Sequence, residues 1–164
     1  MKDIKRALYE AKGKDAKNLI EEQASFFEDL ALSSEGFPEY CLDVLLEALS
    51  VPELYVKPGI EAFVLKTAGD SYRLSDGQKE RLLDTIKKSY DGYDNEKLCW
   101  LICDFIARSF DQKTSLKFFE GAFEGASKEG RQGIALGLDV LARTAKRDPI
   151  LVQKIEGILR AGLK

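Results

Sequence analysis

Cys99 and Cys103 stand four residues apart, one turn of a helix, a spacing at which two thiolates can reach one metal ion. The chain has no histidine, and its third cysteine, Cys41, is far away in sequence. A tetrahedral site would have to be completed by carboxylates, an unusual donor set. The surrounding run LCWLICDFI is strongly apolar, which suits two small core residues better than two ligands. Without histidine the most common general base is also missing. No phosphate loop, nucleophile elbow or metal motif appears, and DGYDNE at 91–96 lacks the alternating oxygen ligands of a calcium loop. It reads as a turn followed by an N-cap. No metal, no cofactor and no catalytic residues are therefore expected.

Two other groupings carry charge in a pattern. Trp100, Asp104 and Arg108 fall at i, i+4 and i+8, one stripe of a helix, and Asp139 and Arg143 repeat the acid–base step further on. The spacing predicts i,i+4 ion pairs beside a Trp100 that faces the core. The second grouping is acidic. From Asn18 to Val56 there are nine carboxylates and no lysine or arginine. Glu39, Asp43 and Glu47 recur every fourth residue, opposite Leu42, Leu45, Leu46 and Leu49. Glu21 and Glu28, and likewise Glu22 and Asp29, stand two turns apart on the outward side of the preceding helix. Like charges four residues apart destabilise a helix by tenths of a kcal/mol each, and no lysine or arginine within residues 18–56 offsets them. Phe37 and Tyr40 lie beside them as candidate apolar anchors.

The elements that must position these residues are helical throughout, because apolar residues recur at helix period and alternating strand patterns are nearly absent. Nine helices are predicted, at about 3–12, 15–32, 38–50, 57–69, 75–90, 94–109, 111–126, 128–145 and 148–162. Pro38, Pro58 and Pro149 open or nearly open helices, and Ser75, Asp111 and Asp148 are N-cap candidates. Gly121, Gly125, Gly133 and Gly137 form two G-x-x-x-G spacings. Mid-helix glycine costs about 1 kcal/mol relative to alanine, so close approach of those two helix backbones is expected to offset it. The third, fifth, seventh and ninth helices start near 38, 75, 111 and 148, an almost constant step. Such a step is the pattern of stacked antiparallel helix pairs, a short α-solenoid. DFIARS at 104–109 returns as DVLART at 139–144. On this period the chain resembles HEAT and armadillo-type repeats, which implies an all-α single domain over 1–164: an N-terminal capping helix over 1–14 and about four helix pairs over 15–162.

Composition bounds the function. The chain has 164 residues, 45% hydrophobic and 32% charged, in the range of globular domains. No apolar run approaches the ~20 residues that span a bilayer, no signal-peptide core opens the chain, and the odd cysteine count fits a reducing compartment. A cytoplasmic protein with no membrane partner is expected. Net charge is −3, unevenly spread: residues 1–50 sum to −5 and residues 111–164 to +3. An acidic front repels phosphate backbones and attracts basic proteins, so nucleic acid is not the expected partner. The expectation is a non-enzymatic protein-binding module with Glu28, Asp29, Phe37, Glu39, Tyr40, Asp43 and Glu47 at its binding face. Its specific form is a bacterial immunity protein that neutralises a basic, nuclease-like toxin. Two alternatives stand beside it. The groove residues Trp100, Asp104, Arg108, Asp139 and Arg143 resemble the arrangement of HEAT-like DNA glycosylases, and a general scaffold or regulatory subunit is the other.

Overall fold

The helices begin where the sequence supplies a cap. Asp3 accepts from the Arg6 amide at 3.1 Å, Asn95 from Leu98 at 3.0 Å, Asp111 from Thr114 at 2.9 Å and Asp148 from Leu151 at 3.2 Å. Ser75 and Gln78 close a reciprocal capping box, each side chain bonding the other's backbone amide, so two orphan donors are satisfied at one helix start. In the computed structural model residues 3–144 and 148–162 are described. Among them the fold is all-α, with ten α-helices, three 3₁₀ turns and no strand. The breaker KRDP begins at Lys146 and Arg147, which lie outside the described residues. The chain divides into two compact units, residues 1–89 and 90–164.

The first unit holds α1 (Ile4–Glu10), α2 (Ala16–Leu32), α3 (Glu39–Ser50), α4 (Pro52–Tyr55), α5 (Glu61–Ala68) and α6 (Asp76–Ser89). α2 packs on α5 and α3 on α6. The buried stripe of α2 is Ile20, Ala24, Phe27 and Ala31, a period of three to four that one helix face presents. Phe27 meets the edges of Phe37 and Phe63 at ring separations of 6.1 and 5.2 Å. α3 buries Cys41, Leu42, Val44, Leu45, Ala48 and Leu49, too wide a face for a single neighbour. Two details depart from the sequence expectation. Pro52 opens a separate four-residue helix, and Pro58 sits in the turn before α5 rather than at a helix start. Gly59, at φ +90°, reverses the chain there, and α5 begins four residues later than the apolar period suggested.

The second unit holds α7 (Glu96–Ser109), α8 (Gln112–Ala122), α9 (Lys128–Thr144) and α10 (Pro149–Gly162). α7 and α9 lie against each other along their length, and α8 and α10 each pack on α9. The starts of α3, α6, α8 and α10, at Glu39, Asp76, Gln112 and Pro149, keep the step read from the sequence. Tyr90, Tyr93, Phe118 and Phe119 form an edge-to-face aromatic core. The glycines divide. A Cβ on Gly133 would come within 2.8 Å of the Cys99 carbonyl oxygen of α7, whereas one on Gly121 would meet nothing within 4 Å. The close backbone approach is therefore between α9 and α7, while Gly137 of α9 seats the ring of Phe119 from α8, 2.5 Å from where a Cβ would stand.

Candidate functional site

The acidic residues of α3 have cations that the local sequence did not reveal. Arg81 of α6 bonds Glu39 at 2.8 Å and stands 3.7 Å from Asp43. Gln78 donates to the other Glu39 oxygen at 3.0 Å. Together the Arg81 and Gln78 hydrogen bonds hold the Glu39 carboxyl below its ordinary range. Glu47 takes Lys5 of α1 at 3.3 Å and the Tyr9 hydroxyl at 3.0 Å. Burial first, then the bond to Glu47, pushes the Tyr9 phenol up. The repulsive row that periodicity predicts on α3 is thus a clasp to α1 and α6.

The apolar anchors move too. Phe37 is 4% exposed, so it belongs to the core and cannot meet a partner. Although it precedes α3 in a polar loop, it packs edge-on against the Phe27 ring. Tyr40 is half-buried, and its hydroxyl accepts from the Ile4 amide at 3.2 Å, at the start of α1. Glu28 pairs with Lys66 of α5 at 3.1 Å.

What remains of the acidic face lies on α2. Glu21, Glu22 and Asp29 are exposed, and among the described residues no ion pair engages them. Leu19 and Leu32, 42% and 56% exposed, sit one turn before Glu22 and one turn after Asp29.

The second grouping differs from expectation at its aromatic. Trp100 is 49% exposed, not core-facing. The buried face of α7 is set by Leu98, Cys99, Ile102, Cys103, Phe105 and Ile106, and the helical phase turns Trp100 to the polar side with Asp104 and Arg108. Arg108 bonds Asp104 at 2.9 Å, and Arg143 bonds Asp139 at 2.9 Å, the two i,i+4 pairs that the spacing predicts.

The thiols are core residues. Tyr90 donates its only hydroxyl proton to the Gly130 carbonyl at 2.7 Å, so at the 3.1 Å contact with Cys103 the thiol is the donor. Cys99 points at the Tyr93 carbonyl at 3.6 Å and Cys41 at the Phe27 carbonyl at 3.8 Å. Burial pushes Cys41 up to about 11 and Cys99 up to about 12, and raises Cys103 as well. A thiol, not the thiolate, is present at neutral pH, so none is a ready nucleophile. Among the described residues no group of His, Cys, Asp and Glu could hold a metal ion. The expected result with a thiol-reactive disulfide reagent at pH 8 is no fast reaction in the folded protein and all three cysteines reacting in denaturant. A fast stoichiometric reaction in the folded protein would contradict this burial.

Among the described residues no helix is long and apolar enough to cross a membrane. Compared with known proteins, the chain matches no family model, no curated protein and no solved structure.

Proposed function

We propose that this protein is a non-enzymatic binding module whose α2 face docks a cationic protein, in its specific form an inhibitor that covers the basic surface of a nuclease-like toxin. One observation carries the reading. Within the acidic stretch the α3 carboxylates and Glu28 are engaged by Arg81, Lys5 and Lys66, whereas Glu22 and Asp29 stand exposed between Leu19 and Leu32. A carboxylate with no internal cation is free to steer and hold a basic partner. The first unit as a whole carries a net −4, which favours the same partner. The regular step of helix starts and the α2–α5 and α3–α6 packing support reading the helix pairs as repeats of the HEAT kind.

The test compares two charge reversals in capture from the native host. Glu22→Lys with Asp29→Lys should leave the fold intact and weaken partner binding by ~10-fold or more. Asp43→Lys should lower stability, because it sets a lysine against Arg81, while the folded fraction keeps its partner affinity. Equal capture by the α2 variant and wild type would refute the α2 face.

A further inference from the structure

Between α9 and α10 lies an open cavity of about 600 Å³, within the range of sites that hold a small organic ligand. Its walls are Phe123, Ala126, Ala135, Leu138, Ile158 and Leu159. The sequence of α10 explains why it is open. Ile150, Leu151, Val152, Ile158 and Leu159 all keep partial or full exposure, and of the described residues of this helix only Ile155 is buried. α10 thus presents more aliphatic surface than α9 covers.

The rim is charged with one sign. Lys128 and Arg131 line the cavity, and no carboxylate does among the described residues. Arg131 is held in place: Nε donates to the Phe123 carbonyl at 3.2 Å and Nη2 to the Glu124 carbonyl at 3.0 Å. Its guanidinium carbon lies 5.0 Å from the centre of the Phe123 ring. These contacts leave Nη1 without a partner among the described residues. Lys128 is the first residue of α9, where the helix dipole adds positive potential.

We propose that this cavity binds a free long-chain carboxylate, with the hydrocarbon along the apolar walls and the carboxylate at the rim with Lys128 and Nη1 of Arg131. A fixed guanidinium with a donor to spare, beside a mobile ammonium, is complementary to a single anionic head. Apart from Gln132 the walls are apolar, so most backbone amides of a bound peptide would find no partner there, at a cost of kcal/mol each. An unbranched hydrocarbon carries no such groups. This site is independent of the α2 face and does not rest on it.

Dodecanoate below its micellar concentration, titrated by displacement of a fluorescent fatty-acid analogue and by calorimetry, tests the assignment. Saturable binding of one molecule per chain is expected. Ala135→Trp fills the cavity and should weaken it by ~10-fold or more, a loss of the order set by withdrawing a few methylenes from apolar contact. Lys128→Glu, on the surface, should weaken dodecanoate by ~10-fold while leaving 1-dodecanol, already the weaker ligand, unaffected. No saturable dodecanoate binding, unchanged affinity in Ala135→Trp, or equal affinity for the acid and the alcohol would each overturn the proposal.

Discussion

Gly133→Ala is expected to lower the unfolding free energy by about 2–3 kcal/mol, while Gly121→Ala, twelve residues earlier in the chain, raises it by about 0.5–1 kcal/mol. Both changes add one methyl group to a helix and both gain helix propensity. They differ in what the methyl meets. At Gly133 the new Cβ would lie 2.8 Å from the Cys99 carbonyl oxygen, 2.9 Å from its carbonyl carbon and 3.0 Å from its Cβ. Two of those atoms are backbone, so no side-chain rotation relieves the clash and α9 must move off α7. That movement loosens the most extensive helix contact in the second unit. At Gly121 nothing lies within 4 Å, and only the entropic gain is left. Urea unfolding followed by circular dichroism measures both. Stabilisation by Gly133→Ala equal to that by Gly121→Ala would mean that α7 and α9 do not approach so closely.

Lys57→Met is expected to cost about 2–3 kcal/mol through loss of hydrogen bonds to a charged donor. The Lys57 ammonium donates to the carbonyls of Leu8, Tyr9 and Ala11 at 2.6, 3.1 and 2.9 Å. These are carbonyls at the C-terminal end of α1, which lack intrahelical partners. A cation there also faces the negative end of the helix dipole. α1 has seven residues, too short to hold itself together in water, so its docking depends on such ties. Methionine keeps an apolar stem out to the position of Cε and removes the ammonium donor. Hydrogen exchange should therefore quicken most in residues 4–11. If those amides stay as protected as in wild type, Lys57 is not what secures α1.

The starts of α6, α8 and α10 were legible because local chemistry sets them: Ser75, Asp111 and Asp148 each have a side-chain oxygen at the one place where a helix leaves amides open. The phase of Trp100 was legible as well, since the buried positions 98, 99, 102, 103 and 106 put residue 100 on the other side. The weight of one large aromatic in an apolar run obscured it. The acidic clasp was harder, because Arg81 is 42 residues from Glu39 and Lys5 is 42 from Glu47. The constant step of helix starts held the missing signal. Moving Asp43 forward by that step lands on residue 80, next to Arg81 on α6, so the cation facing α3 could have been sought one repeat away. The cavity beside α10 had no such sign beyond the surplus of aliphatic residues in that helix, since its volume depends on how far α10 tilts from α9.

The acidic surface we propose for binding is on α2, because the α3 carboxylates are already paired with Arg81 and Lys5. Hydrogen–deuterium exchange of the protein alone and in complex with the partner captured from its native host locates that surface directly. Binding is expected to slow exchange in residues 18–32 and to leave the α7 segment around Trp100 unchanged. Protection confined to α3, or centred on Trp100, Asp104 and Arg108 with α2 unaffected, would contradict it.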